Sequence, residues 1–92
     1  MKMISLSDGY TLLTKANCKW CTKAKELLPR AQVIHCDSLL QDRDGFFQEV
    51  DLLTGRQYRM FPMVFYNSMF IGGYSELKHK LDTELTFDVV HF

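Results

Sequence analysis

The period of the apolar residues switches repeatedly along this chain, and that alternation restricts the fold more than any single residue does. Tyr10-Thr11-Leu12-Leu13-Thr14 is rich in apolar and β-branched residues, a strand pattern. Between Trp20 and Leu28 the residues Trp20, Ala24, Leu27 and Leu28 recur at helical spacing, with Lys23, Lys25 and Glu26 on the other side. Pro29 ends that helix, because it lacks an amide proton and its ring clashes with the preceding turn. Gln32 to Asp37 reads as a second strand, and Asp42 to Gly45 as a loop or helix entry. Phe46, Phe47, Val50 and Leu53 form an apolar stripe on a second helix, closed by Thr54-Gly55. Phe61 to Tyr66 is a third strand, Asn67-Ser68 a tight turn, and Met69-Phe70-Ile71 the returning strand. Gly72-Gly73 breaks the chain, and Ser75 caps a last helix to about Leu85 with Leu77, Leu81 and Leu85 on one face. At the other end, Asp8-Gly9 is a turn signal, with a short extra strand expected over residues 3–7. Asn17 is the expected N-cap of the first helix, and the terminal TFDVVHF is apolar enough to pack down.

The order is therefore β-α-β-α-β-β-α. Strands separated by a helix suggest a parallel pair with a crossover, and the late hairpin adds antiparallel strands. The expected fold class is α/β, in three layers: one four-stranded mixed β-sheet flanked by three helices. Ninety-two residues make one small domain, 1–92, and a hydrophobic fraction of 47% supplies its core without covalent help.

Several classes of function are disfavoured by composition. The formal net charge is zero and no basic cluster stands out, so attraction to nucleic acid or anionic lipid is weak. No apolar run approaches the roughly 20 residues that a membrane helix needs. The start, MKMISLSDGY, lacks the apolar stretch of a secretory signal, so a cytoplasmic, reducing location is expected. Three cysteines, an odd number, fit poorly with a disulfide scaffold.

Two of those cysteines stand in NCKWC, at Cys18 and Cys21. A structural zinc site needs four ligands, but Cys36 falls in a strand with His35 facing the other way, and His79 and His91 are not at zinc-finger spacing. No metal is expected. As a staple, a loop of two residues would constrain the unfolded chain very little. Redox chemistry has support from location. Between a strand and a helix, the Cys18 sulfur meets the unpaired amides and positive dipole end of the helix, with Lys15 and Lys19 adding positive charge. These favour a thiolate, which is both nucleophile and good leaving group. Cys21, one turn on, is spaced to resolve a mixed disulfide at Cys18. The alternative is a pair of cysteines that merely pack.

Three other stretches converge on the same chemistry. Pro62 in FPMVFY fits the first residue of a strand better than its middle, and a cis peptide there would suit a tight turn. Beside the thiols, it would leave the Phe61 backbone free to pair with an extended peptide, although an ordinary strand-start proline is equally consistent. Gly72-Gly73 feeds a helix N-terminus and offers amides to a carboxylate; a turn plus an N-cap also explains it. Arg56 or Arg59 could meet a carboxylate, or both are solvated loop charges. Cys36 reads as a core residue of the second strand.

Taken together, Lys15-x-x-Cys18-x-x-Cys21, RMFPMVF and IGGYSEL make the chain, from Tyr10 to about Leu85, resemble a glutaredoxin of the thioredoxin superfamily. The IGGYSEL segment favours glutaredoxin over thioredoxin, whose WCGPC is absent. The resemblance implies a thiol–disulfide oxidoreductase with glutathione as co-substrate, acting as a monomer on disulfide-containing client proteins, with ribonucleotide reductase one candidate client. It implies Cys18 as nucleophile and Cys21 as resolving thiol. It implies Lys15 and Arg59 at the glycine-end carboxylate of glutathione, and the Phe61 backbone, next to Pro62, at the cysteinyl part. Tyr74 and Ser75 would receive the γ-glutamyl carboxylate, and Trp20 would stand as an aromatic wall. The motif departs from the usual CPYC: Lys19 replaces a rigid proline and adds charge, and Trp20 replaces a tyrosine. Two alternatives remain: a reductant recycled by a flavoprotein reductase, and an iron–sulfur cluster carrier ligated through Cys18 and glutathione.

Overall fold

The computed structural model describes residues 4–90, with side chains through residue 84. Its elements are β1 (Tyr10–Thr14), α1 (Lys19–Leu27), β2 (Gln32–His35), a 3-10 turn (Leu39–Asp42), α2 (Arg43–Thr54), β3 (Met63–Tyr66), β4 (Met69–Gly72) and α3 (Tyr74–Val90). The strands form one mixed sheet in the order β2-β1-β3-β4. β1 and β2 are parallel across the α1 crossover, with Leu12 opposite Val33. β3 runs antiparallel to both β1 and β4.

Alternation along the strands gives each face its own core. Leu13, Met63 and Phe65 point to one side, where Phe46, Phe47 and Val50 of α2 cover them together with Ile4 and Cys36. Leu12 and Val64 point to the other side and meet Ala24 of α1 and Leu77 of α3. The three layers are thus α1 and α3, the sheet, and α2, as the sequence pattern predicts.

Local chemistry sets the element ends. Asp42 caps α2 by accepting from the Gly45 amide at 3.2 Å, and Gly55 closes it in the left-handed region at φ 73°. Asn67 and Ser68 both take positive φ, 50° and 70°, which matches the twist of a two-residue hairpin. The Asn67 side chain also accepts from the Gly9 amide at 2.7 Å, tying the hairpin to the turn before β1.

Some boundaries differ from expectation. Residues 4–7 form no strand, while residue 3 lies outside the described residues; the Ile4 amide instead donates to Glu49 on α2 at 2.7 Å. The N-cap of α1 is Cys18, because Asn17 turns into the left-handed region at φ 56°. β2 ends at His35, one ladder bond short of Cys36, whose amide still donates to the Thr14 carbonyl at 2.8 Å. β3 starts at Met63 rather than Phe61, consistent with Pro62 having no amide to give a ladder. Ser75 sits inside the first turn of α3, which starts at Tyr74 and continues past Leu85. The side chains of Leu85 and of the terminal TFDVVHF lie outside the described residues.

Candidate functional site

Strand register brings four segments to one end of the sheet. Leu13 pairs with Met63, so the end of β1 lies beside the start of β3. Val64 pairs with Gly72, so the end of β4 lies there too. The N-termini of α1 and α3 therefore flank Pro62, whose peptide bond with Phe61 is cis. Two contacts knit this end together. Lys15 Nζ stands over the Phe61 ring at 5.6 Å, and the rings of Trp20 and Tyr74 lie 5.1 Å apart.

At that end Cys18 and Cys21 form a disulfide, with Cα atoms 5.2 Å apart. The left-handed residue Asn17 swings the chain out of β1, and Cys18 follows in extended conformation as the N-cap. Cys18 accepts at both of its polar positions: Sγ takes the Cys21 amide at 3.1 Å, and the carbonyl takes the Thr22 amide at 3.2 Å. The first turn of α1 carries no acid. Cys21 is 1% exposed, whereas Cys18 is only partly covered. An incoming sulfur atom therefore reaches Cys18 first. The nucleophile in such an exchange needs in-line access to the sulfur it attacks, and Cys21 offers little.

Alongside lies a groove of about 510 Å³. It is lined by Met60, Phe61 and Pro62 before β3, by Trp20 of α1, by Ile71 and Gly72 of β4 with Gly73, by Tyr74, Ser75 and Glu76 at the start of α3, and by Arg56 and Tyr58. Glycine at position 73 lets the Tyr58 side chain approach, since a Cβ there would come 2.6 Å from its hydroxyl oxygen. The amide of Gly73 donates to Glu76 Oε1 at 2.7 Å, so a carboxylate of the protein itself already caps the start of α3. Burial, and next the charge of Glu76, push the Tyr58 hydroxyl above its ordinary value of 10.0, so it stays protonated.

The residues singled out from sequence divide into three groups. Trp20, Phe61, Pro62, Tyr74 and Ser75 line the groove. Lys15 does not line it but stands over the ring of Phe61, which does. Arg59 faces elsewhere: its guanidinium pairs with Asp51 at 2.8 Å and lies 4.4 Å from the Phe47 ring. Of the two arginines before the proline, Arg56 is the one at the groove. Sequence reasoning does not find Tyr58 and Met60. Their only signal is nearness to Pro62, because bulk in a connecting segment has no period to betray it.

Cys36 is fully buried against α2 and donates to the Ile34 carbonyl at 3.6 Å. Burial pushes its thiol up from 9.0 to about 12, with Asp37 adding to the rise and a hydrogen bond from the Thr14 backbone opposing it. It is a core residue and poor thiolate. Among the described residues no cluster of three metal-ligating side chains occurs.

Known proteins provide a comparison. No family model matches the chain. A glutaredoxin of Neisseria meningitidis serogroup A is 35% identical over 68 residues, which span 73% of this chain and 78% of that protein. Among solved structures, the complex of buckwheat glutaredoxin with glutathione aligns over 84% of this chain and 71% of its own, at 26% identity and a TM-score of 0.69. Glutaredoxin 1 from Francisella tularensis, solved with cacodylate, covers 85% and 96% of the two chains at 24% identity and a TM-score of 0.71, a likeness of fold.

Proposed function

The chain belongs to the glutaredoxin family, and from that membership we propose a glutathione-dependent oxidoreductase that reduces protein disulfides and glutathione mixed disulfides. Thiol–disulfide exchange is what the family implies. The observation that carries the finer reading is the pairing of a reachable Cys18 with a buried Cys21, beside a groove with cationic, aromatic and amide-bearing walls. Glutathione suits such walls, being a short extended peptide with a carboxylate at each end.

The cycle has four exchanges. From the oxidised state, a glutathione thiolate attacks Cys18 Sγ; the bond to Cys21 breaks and Cys21 leaves as a thiolate that takes up a proton. A second glutathione thiolate attacks the glutathione sulfur, releasing glutathione disulfide and the Cys18 thiolate. Cys18 then attacks a client disulfide, and Cys21 resolves the mixed disulfide, reducing the client by two electrons. The Cys21 amide at 3.1 Å and the dipole of α1 would stabilise the charge on Cys18 each time it leaves. In the groove, Arg56 and Lys15 would meet the glycine-end carboxylate, with Arg59 held back by Asp51. The Phe61 backbone would pair with the cysteinyl part, and the Tyr74 and Ser75 amides would face the γ-glutamyl carboxylate. A reducing, cytoplasmic setting fits this cycle. Among the described residues no helix is long and apolar enough to cross a membrane. As client, ribonucleotide reductase remains one candidate.

The test is turnover of a small mixed disulfide with glutathione, NADPH and glutathione reductase. NADPH consumption that depends on both protein and glutathione is expected. Turnover supported by thioredoxin reductase and not by glutathione would replace this reading with the thioredoxin-like one.

A further inference from the structure

Beside the glutathione groove, the first two turns of α1 carry two lysines that do not line it, Lys19 and Lys23. Trp20 is 48% exposed next to the disulfide. Lys19 Nζ and Lys23 Nζ lie 5.3 Å and 5.8 Å from its ring centroid, so the indole stands beside two ammonium groups. Among the described residues neither lysine is in an ion pair, and the first turn of α1 has no acid. From Lys15 to Arg30 the chain holds five cations and one acid, Glu26, although its overall formal charge is zero. Lys15, Lys19 and Lys23 stand close to the two cysteines in sequence, whereas Lys25 lies in the last turn of α1 and Arg30 beyond it. Met60, which lines the groove together with Trp20, is 68% exposed.

We propose that this Lys19–Trp20–Lys23 platform is a docking surface for client polypeptides whose disulfide cysteine is flanked by an apolar residue and by carboxylates. The inference rests on the oxidoreductase function proposed above and specifies its protein substrates. An apolar client side chain packs on the exposed Trp20 ring, while carboxylates a few residues along meet the ammonium groups. Among the described residues neither lysine has an ion pair to break, so the attraction is not offset by one. Being exposed, it acts chiefly on encounter and falls with salt.

The experiment compares two synthetic peptides, each carrying one cysteine as a mixed disulfide with glutathione. One is flanked by glutamates and the other by lysines, with the same apolar neighbour. The native protein is expected to turn over the acidic peptide about fivefold more efficiently, the scale of one to two exposed ion pairs. That ratio should collapse at about 1 M salt, where the screening length is about 3 Å. Lys23→Glu should abolish or invert the ratio and Lys23→Gln reduce it, both retaining turnover of the mixed disulfide of glutathione with hydroxyethanethiol, whose thiol half other than glutathione is uncharged. Equal rates on the two peptides with normal turnover of the small probe would overturn this proposal alone. So would a preference that survives in Lys23→Glu. No turnover of any probe by the native protein would overturn the oxidoreductase reading as well.

Discussion

Trp20 and Tyr74 face each other with ring centroids 5.1 Å apart, joining the first turn of α1 to the first turn of α3. One ring belongs to the helix that starts at the disulfide, the other to the helix whose amides open onto the groove. The contact therefore fixes the distance between reactive sulfur and groove. Trp20 is the only tryptophan in the chain, and the disulfide lies on both sides of it in sequence. Disulfides quench indole emission, so reduction should raise the fluorescence, and the Cys18→Ser, Cys21→Ser double variant should show no such rise. Emission indifferent to reduction would mean that the ring does not sense the pair.

The two cysteines should fail differently. Cys18→Ser is expected to abolish reduction of both protein disulfides and glutathione mixed disulfides. Cys21→Ser should lose the protein-disulfide reaction and keep the monothiol reaction on glutathione mixed disulfides, as measured in the glutathione-coupled assay. The opposite pattern would reverse the roles.

Arg56 and Arg59 offer a contrast between groove and surface. Arg56→Ala should raise KM for a glutathione mixed disulfide several-fold with little change in kcat. Arg59→Ala should chiefly lose the exposed pair with Asp51, costing about 0.2–1 kcal/mol in urea unfolding. A larger KM effect from Arg59 would show that its guanidinium leaves Asp51 when substrate arrives.

The glycine pair should separate stability from binding. Gly72 has φ 141°, and a Cβ there would lie 2.8 Å from the Glu76 Cβ. Gly72→Ala is expected to cost roughly 1–3 kcal/mol of stability. Gly73→Ala meets only the end of the Tyr58 side chain, so it should raise KM through a displaced hydroxyl while changing stability less. Urea melts and steady-state kinetics on both variants check this.

Cys36 supplies a pH dependence of known sign. Its thiol ionises near 9.0 when unfolded and near 12 when folded. Above pH 9 the unfolded chain binds fewer protons than the native one, so this group's contribution is full below 9 and is lost as pH rises toward 12. In a Cys18→Ser, Cys21→Ser background, the stability lost on Cys36→Ala should shrink across that window. Iodoacetamide should also leave Cys36 unlabelled at neutral pH until the protein unfolds. Prompt labelling would contradict its burial.

How far the site could be read in advance depended on the kind of signal. Cys18, Cys21, Pro62, Tyr74 and Ser75 announce themselves because their chemistry is local: a thiol pair one turn apart, a residue without an amide, a helix start. The end of β2 and the start of β3 were blurred, since apolar residues such as Cys36 and Phe61 continue a strand-like run after the ladder has stopped. Asn17 looked like a cap by residue type, yet a left-handed bend moved that role to Cys18.

From sequence alone came the element order, the mixed four-stranded sheet, the burial of Cys36 and the thiol pair at a helix start, because periodicity and residue chemistry act over a few positions. Tertiary structure alone decided which arginine faces the groove, that Tyr58 and Met60 line it, and that Trp20 meets Tyr74. Those outcomes depend on strand register and on competition among partners far apart in the chain, such as Asp51 for Arg59, and no local pattern records who wins.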